Sequence, residues 1–360
     1  MTLRNPLHSR AMTSAPPISL ESMRAALLAF YEREARALPW RRTRDPYAIW
    51  VSEIMLQQTQ VQTVIPRYQA FLREFPTVEA LAAASETRVC EAWAGLGYYR
   101  RARNLHAAAR QVVSEHGGRI PETAAQLQTL PGIGRYTAGA IASIAHDEAA
   151  PVLDGNVIRV LTRVFALAGD PQRGQVRNRL WHLAQQLVAG ERPGELNQAL
   201  MELGATVCTP RAPRCECCPA SSMCRAKASG EPTAYPQLPA KSARKALPMA
   251  MLWLADAHGV WFSRRPLDGL WAGLWEPPSA SGRGAKTALA QRFGVRLGAP
   301  LATVTHLLTH RRVEARIYRP TSLPALQDSE ALQCFPEPRN APISARSEER
   351  RVGKECFLLC

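Results

Sequence analysis

Two acidic residues, a glycine-rich turn and a cluster of cysteines are the groups in this 360-residue chain whose types and spacing can do chemistry. Glu53 stands in DPYAIWVSEIMLQQTQV, residues 45–61, beside Ile54, Met55 and Leu56. An acid among apolar neighbours loses hydration of its charged form, so its pKa rises toward what a proton donor near neutrality needs. Asp154 stands in VLDGNVIRV, ahead of Val157, Leu161, Val164 and Phe165 at helical spacing. At a helix start the positive helix end favours an ionised carboxylate, an anion suited to steadying a developing cation. Between the two lies LPGIGRYTAGAI, residues 130–141. There Gly132 and Gly134 can turn the chain tightly and present backbone N–H groups at the mouth of a helix from Arg135 to His146, where a phosphate oxygen fits. Each feature also has a plain reading: an exposed rim acid, a cap that does nothing else, a turn that is only a turn.

Cys208, Cys215, Cys218 and Cys224 are separated by six, two and five residues. Four soft ligands so spaced can hold zinc or a four-iron cluster, and ligand chemistry alone does not choose between them. Cys217 interrupts the pattern with a further thiol, and Arg211, Arg214 and Arg225 make the loop basic.

The elements that must position these groups read mostly as helices. Leu20, Met23, Leu27, Leu28, Phe30 and Tyr31 recur at helical spacing over 19–37, with Ser19 or Ser22 as cap. Asp45-Pro46 opens the helix that carries Glu53. Thr59 with Gln62 can box the start of the next, which buries Val61, Val64, Ile65, Tyr68 and Phe71. Helices follow over 79–94 and 100–116, separated by Gly95-Leu96-Gly97-Tyr98-Tyr99, and the second begins with Arg100, Arg101 and Arg103, suited to phosphate contact. Segment 122–129 completes a helix-hairpin-helix over 122–146, and further helices span about 175–190 and 195–207. A proline-rich tether covers 229–247, and beyond it the periodicity shortens. A hairpin over 250–254 and 260–263, a helix over 285–293 and strands over 301–308 and 313–318 make a small α+β unit over 248–328. Residues 1–18 and 329–360 read as tails, and 19–228 as one helical domain.

A formal charge of +15 and a pI near 9.9 favour a polyanionic partner without naming the chemistry. Hydrophobic content of 46% excludes global disorder. No segment approaches the roughly 20 apolar residues that cross a bilayer, and no secretory leader stands at the N-terminus. Nine cysteines, five of them within 208–224, are too few for a disulfide scaffold. A reducing, soluble compartment is the expectation.

LPGIGRYTAGAI with VLDGNVIRV, DPYAIWVSEIMLQQTQV, AGLGYYRRARNL at 94–105, MELGATVC at 201–208 and the cysteine array resemble, in order, the helix-hairpin-helix DNA glycosylase superfamily, and within it the adenine glycosylases of the MutY type. The resemblance runs from about residue 20 to about residue 318. It implies a mostly α helix-hairpin-helix glycosylase fold with a [4Fe-4S] cluster loop, plus a smaller α+β C-terminal domain similar to Nudix hydrolases. RPLDGLWAGLWEPP at 265–278 carries that second likeness, while the Glu-rich Nudix signature is missing.

The resemblance further implies a monofunctional enzyme that flips adenine out of a mispair with 8-oxoguanine or guanine and hydrolyses its N-glycosidic bond. Glu53 would protonate adenine N7 and Asp154 would stabilise the oxocarbenium-like sugar, with Trp40, Arg41, Tyr136 and Asn156 around the base pocket. DNA contacts would come from Leu56, Gln58, Thr59, Tyr98, Gly132 and Gly134. In the C-terminal domain, Leu308-Thr309-His310 stands where relatives carry Phe-Ser-His, which puts Thr309 and His310 at the lesion. The cofactors implied are one [4Fe-4S] cluster on Cys208, Cys215, Cys218 and Cys224 and a monovalent cation at the hairpin phosphate site. Double-stranded DNA is the expected partner, the protein a monomer off the membrane, and its place the cytoplasm, on the nucleoid in a bacterium. Two alternatives stand beside this: an endonuclease III-like pyrimidine glycosylase/lyase, against which LPGIGRYTAG offers no lysine, and a noncatalytic binder of damaged DNA.

Overall fold

The computed structural model describes residues 18–239, 243–266, 273–308, 310–329 and 331–336. By contacts the chain divides into two compact units, Met1–Glu53 with Ile120–Pro239, and Ile54–Arg119 with Ala240–Cys360.

The first unit is helical. Met23, Leu27 and Phe30 from the Leu20–Glu34 helix meet Val157, Val160, Leu161 and Val164 from the Gly155–Phe165 helix, and Leu196, Ala199, Leu200 and Leu203 from the Pro193–Thr206 helix, in one core. The recurrence of these residues every three or four positions puts each set on one helix face, and each fully buried Leu or Phe contributes about 1.5–3 kcal/mol of burial. Ser19 caps the first of these helices, its hydroxyl accepting from Ser22 N at 3.2 Å.

Close backbone approach joins this core to the hairpin. A Cβ on Gly139 would lie 2.3 Å from the Pro151 carbonyl oxygen, and one on Gly194 would lie 2.3 Å from that of Ser143. These glycines let the Arg135–His146 helix touch both the run of chain into Asp154 and the Pro193–Thr206 helix. Buried Asn197 bridges the same three pieces, its Nδ2 donating to Ser143 Oγ and to Ala150 O, both at 2.8 Å.

The helical part of the second unit packs Phe71 edge-on against Phe75 and Trp93, with centroids 4.9 and 5.8 Å apart. The single helix expected over 79–94 is two, Val78–Ala83 and Glu86–Ala92, because the Ser85 hydroxyl accepts from Arg88 N at 3.2 Å and restarts the helix.

The α+β part of this unit holds two four-stranded sheets. In one, Lys245–Leu252 runs parallel to Arg311–Tyr318 and antiparallel to Ser279–Ser281, while Ala302–Leu307 forms the antiparallel pair with Arg311–Tyr318 that the sequence suggested. In the other, Gly259–Arg264 pairs with Ala255–Asp256, Trp275–Glu276 and Leu332–Phe335. The hairpin expected from 250–254 onto 260–263 is therefore shorter, Ala255–Asp256 onto Gly259–Arg264, and the run 250–252 belongs to the other sheet. The Asp256 carboxylate fixes the turn by accepting from His258 N, Gly259 N and Trp261 Nε1. Residues 332–335, expected in a tail, are a strand, and the tether ends at Lys245. The Ala285–Phe293 helix covers Leu252, Leu254 and Trp261 with Leu289.

Candidate active site

Glu53 lies in the Pro46–Leu56 helix and is 5% exposed. Its Oε2 accepts from the Tyr136 hydroxyl at 2.8 Å, and that hydroxyl also lies 3.3 Å from Met201 Sδ. Burial pushes the Glu53 carboxyl up to about 7, with the Asp154 charge adding to the rise; the Tyr136 bond and the Arg41 charge oppose it. Tyr136 is driven well above the usual phenol range, first by burial and then by the two carboxylates, so it stays a neutral donor.

Asp154 caps the Gly155–Phe165 helix. One carboxylate oxygen accepts from Val157 N at 2.7 Å and the other from Asn156 Nδ2 at 2.9 Å. Burial raises its pKa on balance; the helix-end amide, the Asn156 bonds and the Arg159 charge pull the other way. The helix end favours the charged form as expected, but desolvation is the larger effect. Two N–H donors serve Asp154 while a single hydroxyl serves Glu53, so the charged form has more hydrogen-bond support at Asp154 than at Glu53.

Asn156 is itself oriented. Arg159 Nη2 donates to Asn156 Oδ1 at 2.8 Å and to Gly204 O at 2.7 Å, while its Nε donates to Cys208 O at 2.7 Å. A Cβ on Gly204 would lie 2.6 Å from Asn156 Cβ, so Gly204 leaves the room in which Asn156 faces Asp154. Gly204→Ala is expected to displace Asn156, lower stability by about 1–3 kcal/mol, and slow turnover more than the loss of folded protein explains. Thermal melting beside active-site titration checks both effects.

Trp40 is buried and Arg41 follows it in the Pro39–Arg41 turn. Arg41 Nη2 donates to Glu202 Oε2 at 2.8 Å, and Arg36 Nε donates to Glu202 Oε1 at 2.7 Å. Glu202 is fully buried, and the two guanidiniums outweigh its desolvation and hold it down at about 2. Sequence reading missed Glu202, Arg159 and Met201. MELGATVC pointed to its cysteine, and only the fold shows that Met201 and Glu202 face the acids' surroundings.

Residues 51–186 match the family described as HhH-GPD superfamily base excision DNA repair protein, and residues 249–345 match the NUDIX domain. The adenine DNA glycosylase of Rattus norvegicus is 42% identical over 361 residues, covering 82% of this chain and 70% of the relative. The chain belongs to the adenine DNA glycosylase family. The Homo sapiens member is 42% identical, covering 82% of this chain and 66% of the relative, and that of Buchnera aphidicola subsp. Acyrthosiphon pisum is 33% identical, covering 69% and 71%. A thermostable thymine-DNA glycosylase structure superposes with a TM-score of 0.54 at 32% identity, over 58% of this chain and 97% of that one. Endonuclease III from a noncovalent DNA complex, at 20% identity and a TM-score of 0.50, shares the fold over 59% of this chain and 99% of its own.

As a member of the adenine DNA glycosylases the chain is an enzyme of glycosylase type, and its remaining expected site residues fall as follows. Leu56 is half-buried at the end of the Glu53 helix, and Gln58 is exposed with φ at +58°. Thr59 does not cap the next helix as expected: Gln60 stands at that cap, and the Thr59 hydroxyl accepts from Arg101 Nη2 at 3.1 Å. Tyr98 is 56% exposed with φ at +50°. Gly132, with φ at +78°, and Gly134 are exposed in the turn between the Ala124–Leu127 and Arg135–His146 helices, and Ile133 N donates back to Leu130 O at 3.2 Å.

In the family's Nudix-like part, His310 is exposed beside the Arg311–Tyr318 strand and its carbonyl accepts from Lys245 N at 3.1 Å; Thr309 lies outside the described residues. The Ala285–Phe293 helix, AKTALAQRF, holds no carboxylate, so the acids that diphosphate hydrolysis draws on a metal with are missing from it. No helix among the described residues is long and apolar enough to cross a membrane.

The cofactor expectation is overturned. Cys208, Cys215, Cys218 and Cys224 are free thiols lining one cavity with Val160, Arg163 and Leu203. Among the described residues, no group of three or more His, Cys, Asp or Glu side chains is disposed to hold a metal ion. Chain spacing brings cysteines to one loop, whereas ligation also needs their sulfur atoms to converge on one point. Burial pushes Cys218 up to about 11 and raises Cys215 and Cys224, and Arg163 Nη1 donates to Cys208 Sγ at 3.3 Å. The [4Fe-4S] cluster and the hairpin cation are accordingly dropped. Arg163 holds this loop by donating also to Thr209 O, Pro210 O and Tyr235 O at 2.7–2.9 Å.

Proposed function

We propose that this enzyme excises adenine paired with 8-oxoguanine or guanine in duplex DNA by hydrolysing its N-glycosidic bond. The observation that carries the reading is the pair Glu53, buried, hydrogen-bonded to Tyr136 and raised to about 7, and Asp154, half-buried and accepting from two N–H donors. A base inside a stacked duplex is out of reach, so the adenine must be extruded. The Glu53 acid gives its proton to N7. The C1′–N9 bond then breaks with its electron pair on the purine, which leaves neutral. The Asp154 carboxylate steadies the sugar cation, or bonds to it transiently, until water adds at C1′ and its proton restores Glu53. Gln58 and Tyr98 enter the duplex, Gly132 and Gly134 hold backbone phosphate, and Thr309 and His310 meet the lesion.

The enzyme is monofunctional: Schiff-base chemistry needs an amine, and the hairpin helix presents Tyr136 to Glu53 instead. The test is a product assay on 8-oxoguanine:adenine duplex with and without alkali. Free adenine with a strand that breaks only after alkali is expected. Release of a pyrimidine instead, or strand scission without alkali, would replace this reading with the endonuclease III-like one, and binding with no product would leave a noncatalytic binder.

A further inference from the structure

Two exposed side chains, Gln58 and Tyr98, sit on backbone in the left-handed region, with φ at +58° and +50°. For residues with a Cβ this conformation costs about 1–3 kcal/mol and persists only where neighbours over-determine it. One side chain supplies that constraint at both places. Arg101 Nη1 donates to Ile54 O at 2.8 Å, Met55 O at 3.0 Å and Gln57 O at 2.5 Å. Its Nη2 donates to Leu96 O at 2.9 Å, Gly97 O at 3.1 Å and Thr59 Oγ1 at 3.1 Å.

The first three acceptors lie at the C-terminal end of the Pro46–Leu56 helix and just past it, where carbonyls lack helical partners. Leu96 and Gly97 begin the turn that ends in Tyr98. The guanidinium lies 5.5 Å from the Trp93 ring centroid and 5.6 Å from that of Tyr98, and Trp93 Nε1 donates to the Gly97 carbonyl as well. A planar fork can reach two separate loops at once; a single ammonium cannot hold the same set. Burial pushes Arg101 down to about 10, which leaves it charged at neutral pH.

We propose that Arg101 is a positioning residue that locks the Gln57–Thr59 corner and the Leu96–Tyr98 turn into one rigid two-pronged wedge, so that Gln58 and Tyr98 enter the duplex together. It acts on the opening of the stack and not on the bond being broken. This rests on the adenine-excision reading above.

The test compares wild type, Arg101→Lys and Arg101→Gln on two substrates. One is an intact 8-oxoguanine:adenine duplex; in the other the same adenine sits in a short unpaired bubble. The ratio of single-turnover rates, intact over bubble, is expected to fall about tenfold or more in both variants, since small misplacement of a positioning group costs this much. Thermal melting verifies folding. Fluorescence of 2-aminopurine beside the target adenine reads unstacking without any chemistry, and its rise on binding should shrink in both variants. An unchanged ratio with undiminished fluorescence overturns the proposal, as does full rescue by lysine. Wild type that unstacks the probe yet releases no adenine would sink the excision reading alone, and the fluorescence arm would still decide the wedge.

Discussion

Replacing Asp154 with asparagine is expected to lower adenine release by about 10³-fold or more while duplex affinity changes little. In the proposed mechanism the carboxylate's work is electrostatic: it steadies a sugar cation, and where removal of one preorganised group costs about 10²–10³ in rate, loss of a full charge costs more. The amide oxygen of the replacement side chain would still accept from Val157 N, as the Asp154 carboxylate does at 2.7 Å, so the helix keeps its cap and the fold its stability. Single-turnover excision and a binding isotherm on the same duplex check both halves. Wild-type turnover by this variant would remove Asp154 from the mechanism.

Glu53→Gln is expected to slow excision by about 10²–10⁴-fold, the usual contribution of a positioned proton donor, and to abolish the basic limb of the pH profile. With the carboxyl at about 7, the wild-type rate should fall as pH rises through neutrality and the proton is lost. The same shift acts on stability. The folded pKa, about 7, exceeds the reference value of 4.5, so the folded state binds the extra proton. This group's contribution to stability is therefore complete below about pH 4.5 and lost as pH climbs through 7, a change on the order of 3 kcal/mol. Glutamine carries no such titration, so the variant should melt higher than wild type at about pH 8 and close to it at acid pH. Parallel melting curves across that range decide it; a variant that loses stability on the alkaline side would mean that the fold stabilises the Glu53 charge and does not raise its pKa.

The two experiments also separate the acids from their support. Gly204 acts through Asn156, Arg159 acts through Asn156 and through its own charge near Asp154, and Glu202 acts by fixing Arg41. Changes there should leave the shape of the pH profile in place while lowering its height, whereas Glu53→Gln changes the shape itself.

Local chemistry made much of this protein legible in one dimension. Helical periodicity places the core faces of the Leu20–Glu34, Gly155–Phe165 and Pro193–Thr206 helices, the Asp45-Pro46 and Asp154 caps mark helix starts, and Glu53 among apolar neighbours already carries the reason for its raised pKa. These depend on residues within a turn or two of one another. What tertiary structure alone decided are pairings over distance: Tyr136 onto Glu53, 83 residues apart, and Arg101 onto carbonyls up to 47 residues away. It also decided that Arg41 turns inward to Glu202 while Arg42 stays exposed, which sheet receives 250–252, and that four well-spaced cysteines do not amount to a metal-holding group among the described residues. Spacing along a chain fixes which side chains share an element, while convergence on a point depends on how separate elements pack, and no single stretch encodes that.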